Sequence, residues 1–439
     1  MLQFKSYLKI TFIDGERIYL KNLKDEEYNS LKSNFISLTV LQAANYILPL
    51  ITLPYLVKVL GIEYFGLLAF ATATIAYFGI LTDYGFNLTA TKEISIHREN
   101  KTKTIEIFSS VMSIKFVLLL LSLSILTLIV FSFNKFSEHW EIYFLTFGSV
   151  IGQFLFPVCF FQGMEKMKYI TYLNLVSKSI FTIAIFVFVQ EQSDIHLVPL
   201  FFSLGAILAG LASLYLIHKE FNIHFQLQSF TTIKEYFIDG WHVFLSRFYV
   251  SMYTTTNLLL LGLFTNNVLV GYYAIAEKIV LAIAGIFEPL NQTLYPYLAR
   301  KYKENFQLFV HFLKRTSLLF IVTTSILLML SEYFVDNLVY LVQGSYQTTI
   351  SYLLSLFLLR ILTYPFGGLL SNALIIMKQT NYYMRVMNYT VLLNFLLVPV
   401  AIYFYQASGL IIAFLLVTFI HVLLLWYYVN KAIQSIRKQ

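Results

Sequence analysis

Residues 34–58 read NFISLTVLQAANYILPLITLPYLVK, and residues 63–88 read EYFGLLAFATATIAYFGILTDYGFNL. Each run stays apolar for about 25 residues, which as a helix rises about 37 Å and crosses the roughly 30 Å of bilayer hydrocarbon. Neither run alternates with the two-residue period of a strand, so strands are excluded as the spanning elements. Further runs follow at about 107–131, 139–161, 168–190 and 196–217, then at about 236–262, 270–297, 308–330, 350–377, 382–405 and 408–430, for about twelve spans in all. Composition agrees. Hydrophobic residues make up 58% of the chain, charged residues 12%, and mean hydropathy is +0.70, whereas a soluble domain carries about 25% charged residues.

Loop charge orients the spans. With the N-terminus inside, the cytoplasmic segments hold 24 of the 31 basic residues, among them Arg98, Lys101, Lys166, Lys219, Lys301, Lys378 and Lys431. The opposite loops hold only Lys58 and Lys135. This alternation predicts a multi-pass protein of the bacterial inner membrane with both termini cytoplasmic. Orientation also accounts for the basic pI, so nucleic acid is not an expected partner. Cys159 is the single cysteine and lies in an apolar run, which excludes an intramolecular disulfide. No cleavable signal peptide is visible, because residues 1–33 carry eleven charges and no apolar stretch. That segment reads either as a cytoplasmic arm or as a start placed too early. No Met occurs between Met1 and Met112, so a later start needs a codon such as that of Leu23 or Leu31.

The chain looks duplicated. Gly66-x-x-Ala69-x-Ala71 opens the second span and Gly271-x-x-Ala274-x-Ala276 the eighth, 205 residues on, and the same offset carries Asp83 onto Glu288. Six plus six spans in matching orientation predict an all-α integral membrane protein: two six-helix lobes, parallel pseudo-repeats, around a central cavity. The expected organisation is a polar arm 1–33, an N-terminal lobe 34–217, a linker 218–235, a C-terminal lobe 236–430 and a basic tail 431–439.

Five cations remain inside spans: Lys115, Lys178, Arg247, Lys278 and Arg360. Each costs about 2.5–3.5 kcal/mol at a helix centre. Lys178, Arg247 and Arg360 sit near mid-span, whereas Lys115 lies nearer the cytoplasmic side, where it can snorkel. The intramembrane acids are Asp83, Asp239, Glu277 and Glu288, with Asp83 expected near the membrane surface. Glu277 and Glu288, eleven residues apart, fall on one face of a continuous helix. Polar stripes recur at Gln42, Asn45, Pro49 and Thr52, at Thr171, Asn174 and Lys178, and at Asp239, His242 and Ser246. Lipid cannot satisfy them, so they point to one interior cavity. Two readings stand: buried pairs that only join helices, or a cavity whose cations exceed its acids and which therefore takes an anion. In the second, the five cations bind the anion and the four acids couple transport to an ion gradient.

Smaller features fill in the picture. Phe334, Leu338, Leu341 and Val342 fall at helical spacing, so 331–349 is either an interfacial amphipathic helix or an extension of the ninth span. Pro49, Pro54, Pro157, Pro289 and Pro296 read as kinks, as does Gly367-Gly368 in the tenth span. His421, with Thr418, is either a proton relay or a helix–helix hydrogen bond. No phosphate-binding loop, metal spacing or nucleophile motif occurs, so neither an enzyme nor a cofactor is expected.

The residues Asn45–Gly61, Phe65–Ala71 and Leu81–Ser95 closely resemble the Wzx-type O-antigen flippases, the polysaccharide-transport branch of a superfamily that also holds multidrug exporters. Phe156–Thr171, leading to Asn174 and Lys178, and Gly271–Ile279 are similar to the same branch. The resemblance covers roughly residues 34–430; Cys159 departs from it where an aromatic is expected. It implies that undecaprenyl-pyrophosphate-linked oligosaccharide units, of O-antigen or capsule type, are flipped from the cytoplasmic to the periplasmic leaflet. It further implies ion-gradient coupling, alternating access, contact with membrane lipids, and as protein partners a polysaccharide polymerase and a chain-length regulator. The alternatives are an ion-coupled multidrug exporter of the same fold and a multi-span glycosyltransferase or polymerase. The first should carry an excess of intramembrane acids and the second a long outer loop, and neither pattern is seen.

Overall fold

A computed structural model of the chain describes the backbone of residues 25–437 and the side chains of residues 40–437. Most of the expected arm, residues 1–24, lies outside the described residues, while its last part is already helical. The described residues are mostly helical and contain no strand. The first half comprises α1 (Asp25–Asp83), α2 (Phe86–His97), α3 (Lys101–Ser132), α4 (Asn134–Ser137), α5 (Trp140–Leu155), α6 (Val158–Gly163), α7 (Met167–Phe188) and α8 (Leu197–Phe221). The second comprises α9 (Phe230–Thr254), α10 (Thr256–Phe264), α11 (Asn267–Ala284), α12 (Phe287–Glu304), α13 (Phe306–Tyr333), α14 (Val335–Gln343), α15 (Thr348–Leu358), α16 (Tyr364–Ile376) and α17 (Thr380–Arg437).

Among the described residues nine helical stretches are long and apolar enough to cross a membrane. Two of them, Val40–His97 and Thr380–Arg437, run 58 residues each, enough for two crossings. The first breaks at Gly61, whose φ of 78° is open to glycine without steric cost. Before the break Asn45 meets Lys178 and Tyr55 meets Phe186 on α7, and after it Phe70 meets Tyr143 and Phe78 meets Phe147 on α5. α7 and α5 run in opposite directions, so the two halves of α1 do too. α17 reverses at Gln406, φ 50°. Tyr382 faces Tyr428, Thr390 bonds to His421, and a Cβ on Gly409 would touch the Ala401 carbonyl, a hairpin closing on its turn. The remaining crossing is α9–α10, interrupted at Thr255. It carries Asp239, His242 and Arg247 and is the polar one, so the described residues hold the twelve expected crossings.

Large apolar side chains such as Val117, Leu128, Leu318, Leu396 and Trp426 lie exposed around the outside. A surface of that kind is stable against lipid and not against water. The loops 98–100, 164–166 and 222–229, flanked by Lys101, Lys168, Lys219 and Lys234, share one basic face with the α12–α13 and α16–α17 junctions. The turns at Gly61 and Gln406 and the segments 133–139 and 189–196 share the opposite face. There α14 is a separate short helix rather than an extension of α13. Val339 and Val342 are buried against the protein while Phe334 and Leu341 are exposed.

Candidate functional site

At the opposite face the duplicated glycines meet each other. A Cβ on Gly66 would stand 1.8 Å from the Asn267 carbonyl oxygen and 2.7 Å from the Gly271 nitrogen, and one on Gly271 would stand 2.4 Å from the Ile62 carbonyl oxygen. Backbone therefore rests on backbone, as small residues permit between membrane helices. Lys135 adds a bond from the first half to the second, donating to the Thr265 carbonyl at 2.6 Å. The two lobes are pinched together here.

Away from the pinch they part around a cavity of two joined chambers. The larger, about 930 Å³, extends toward the basic face between α1, α5, α9 and α17. The smaller, about 740 Å³, is bounded by both halves of the chain, including α1, α8, α11 and the α15–α16 junction. Thr72, Thr146, Ser149, Thr254 and Thr255 line both, so the space is continuous.

The smaller chamber holds Glu277, Lys278 and Arg360. Arg360 owes its position to Pro365. Proline lacks an N–H and its ring crowds the carbonyl four residues earlier. The tenth crossing accordingly tightens into a 3₁₀ turn at Leu359–Leu362 before α16 begins. The break thus lies upstream of Gly367-Gly368, where it was expected; Gly368 instead makes room for Asn291, whose amide donates to the Pro365 carbonyl at 3.3 Å. The Arg360 guanidinium is caged by rings, 4.8 Å from the Phe414 centroid, 5.7 Å from Tyr364 and 5.8 Å from Phe357. Lys278 lies 5.1 Å over Phe65, and Tyr273 donates to Glu277 at 3.4 Å. Ring faces stabilise a cation without neutralising it. Among the described residues neither cation has a carboxylate within ion-pair distance. Two cations therefore face one acid in a largely apolar chamber.

The larger chamber ends at a charge cluster. α1 stops at Asp83, and Tyr84 and Gly85 turn the chain through φ values of 50° and 80° before α2. Tyr84 stacks on Phe237 and Phe244 of α9, 4.6 and 5.0 Å away, in space left by Gly240. The Asp83 carboxylate lies 3.8 Å from Lys115 and 4.0 Å from Arg247. Lys115 does not snorkel, and Asp83 is not at the surface. Their side chains are only 2% and 7% exposed, because α5 covers them and supplies the Gln153 carbonyl at 3.5 Å. Asp83→Asn is accordingly expected to lower membrane abundance, since breaking a buried pair costs about 3–5 kcal/mol. Adding Lys115→Met should recover it. Quantitative blotting checks both, and an unchanged level in the single variant would remove the pairing from the account.

Of the expected anion-binding cations, Arg247, Lys278 and Arg360 line the cavity, while Lys115 and Lys178 line neither chamber. Lys178 donates to Asn45 at 2.6 Å and joins α7 to α1. Of the acids, Asp83 and Glu277 line it. Glu288 lies beyond a short turn at Gly285-Ile286 that separates α11 from α12, lines neither chamber, and accepts from Gln292 at 3.3 Å. Asp239 is exposed on α9 and lines neither chamber. His421 is buried and bonded to Thr390 at 2.8 Å, a helix–helix contact. Gln153 and Asn388 line the larger chamber and were not expected. A signal existed for the first, since Thr146, Ser149 and Gln153 form a polar stripe on an apolar span. Among the described residues no three His, Cys, Asp or Glu side chains converge to hold a metal ion.

Comparison with known proteins bears on this architecture. The structure is similar to the lipid II flippase MurJ in an inward closed conformation, with a TM-score of 0.71 and 18% identity over 91% of this chain and 90% of that one. It is similar to an inward-facing multidrug resistance MATE family transporter of the MOP superfamily, with a TM-score of 0.70 and 13% identity over 89% and 96% of the two chains. At such identities the likeness is one of fold. A protein of Escherichia coli (strain K12) named for O-antigen transport is 34% identical over 270 residues, 62% of this chain and 65% of that protein. One of Shigella dysenteriae with the same name is 29% identical over 276 residues, 62% of this chain and 68% of that protein. The chain thus spans just under two thirds of the first of these relatives. Residues 31–302, more than half of the chain, match the family described as polysaccharide biosynthesis protein. Spanning both the duplicated glycines and Lys278, that match shows that the chain belongs to the polysaccharide biosynthesis protein family.

Proposed function

We propose that this chain flips lipid-linked oligosaccharide units, carried on undecaprenyl pyrophosphate, from the cytoplasmic to the periplasmic leaflet of the bacterial inner membrane. The basic face is then cytoplasmic, and the lobes, 34–217 and 236–430, rock about the cavity. The observation that carries the reading is that Lys278 and Arg360 line one largely apolar chamber whose single acid is Glu277. Arg offers a planar fork for phosphate oxygens and Lys a point charge, and a low-dielectric chamber strengthens both. Family membership and the names of the relatives supply the sugar. Glu277 beside Lys278 is the acid through which an ion gradient would drive the cycle, by competing with the diphosphate for the same cations. The experiment is a leaflet assay. Membranes lacking the chain should hold lipid-linked oligosaccharide in the cytoplasmic leaflet, and restoring the chain should move it outward. Glu277→Gln should bind the lipid yet lose the dependence of flipping on the proton gradient. An unchanged leaflet distribution on restoration would reject the flippase reading, and gradient-independent flipping in the unaltered chain would reject the coupling.

A further inference from the structure

The two chambers differ in chemistry. The smaller combines Glu277, Lys278 and Arg360 with walls that are mostly apolar, such as Leu56, Phe65, Leu68 and Phe202, and its charged lining sums to one excess cation. The larger is lined by one cation and one acid, Arg247 and Asp83, which lie 4.0 Å apart. It has no excess charge. Its lining instead gathers Gln153 from α5, His242 and Ser246 from α9, and Asn388 from α17. All four are exposed, and among the described residues none of these side chains hydrogen-bonds to the protein. Two carboxamides, an imidazole and a hydroxyl thus converge from three elements with both donors and acceptors unused.

A chamber built only to hold water would not need its polar groups seated. Gln153 is seated. A Cβ on Gly79 would stand 2.8 Å from its Oε1, so the bare backbone at that position makes the recess in which the amide lies. His242 and Ser246 are four residues apart and project from one side of α9. The rings of Tyr249 and Tyr383 also line the chamber. At about 930 Å³ the space is at the upper end of the range of small-ligand sites, roughly 300–1,000 Å³.

We infer that the larger chamber is a subsite for uncharged sugar rings, read by Gln153, His242, Ser246 and Asn388, and spatially separate from the cation pair that holds the diphosphate. The inference rests on the reading of the chain as a lipid-linked oligosaccharide flippase. A carboxamide presents a donor and an acceptor side by side, matching two neighbouring sugar hydroxyls, whereas a cation adds little for a neutral ring. The lipid is held by charge in one chamber and selected by its sugar in the other.

The test measures binding to the full chain in nanodiscs with two probes: a bare short-chain polyprenyl pyrophosphate, and the lipid-linked oligosaccharide extracted from the strain's own membranes. Gln153→Ala and Asn388→Ala are expected to weaken the glycosylated probe about three- to tenfold each, as for one lost neutral hydrogen bond, and to leave the bare probe unchanged. Arg360→Gln should weaken both. Unchanged bare-lipid binding also shows that the variants are folded. If the two alanine variants weaken both probes, or neither, the sugar subsite is wrong. If the unaltered chain ignores the bare lipid, or Arg360→Gln leaves both probes unchanged, it is the diphosphate reading that fails.

Discussion

Arg360→Gln is expected to abolish surface-polysaccharide complementation while leaving membrane abundance unchanged, with Arg360→Lys recovering part of the activity. The separation of the two readouts follows from how the guanidinium is held. Its neighbours are the faces of Phe357, Tyr364 and Phe414, and no carboxylate lies within ion-pair distance among the described residues. Removing the charge breaks no salt bridge, so folding loses ring contacts and a longer-range attraction to Glu277, which keeps Lys278 beside it. A diphosphate loses a charge-assisted bond of about 1.5–3 kcal/mol, a drop of roughly ten- to a hundredfold in affinity. Lys278→Arg should keep most of the activity and Lys278→Gln lose it. Lys178→Gln should behave differently, because its ammonium is bonded to Asn45 outside the cavity. Full complementation by Arg360→Gln combined with Lys278→Gln, at normal abundance, would sink the anion-binding chamber.

Gly66→Leu is expected to force the lobes apart at the opposite face. Even a methyl group there would overlap the Asn267 carbonyl oxygen, which is backbone and cannot swing aside. Overpacking of this kind costs about 1–3 kcal/mol where a core can adjust, and more where only a rigid-body movement relieves it. The cavity should then open to that side. Thiol labelling reads this out cleanly, since Cys159, the native cysteine, is buried. A reporter cysteine at Leu68, which lines the smaller chamber, should react with a membrane-impermeant reagent from the opposite face in Gly66→Leu and stay protected without it. Gly367→Ala is the control, because a Cβ there meets nothing within 4 Å. Protection of the reporter in an active Gly66→Leu variant would remove the pinch from the mechanism.

Much of the architecture was legible in the order of residues alone. Twelve crossings follow from apolar run length, because the bilayer fixes the length of a span and excludes unpaired backbone. The duplicated glycines were visible as a pattern, and so were the intramembrane charges. What those charges do was not legible. Lys115 and Lys178 look no different in sequence from Lys278 and Arg360, yet the first two are bound to Asp83 and Asn45 and the last two face open space. Periodicity places a side chain on a face of its own helix. It says nothing about which neighbour that face meets, or whether the helix stays continuous between two residues, as the break between Glu277 and Glu288 illustrates. Partnership between side chains more than a hundred residues apart, such as Asp83 with Arg247, is decided by how whole helices pack. The division of the cavity into a cationic chamber and a neutral one therefore belongs to the tertiary structure.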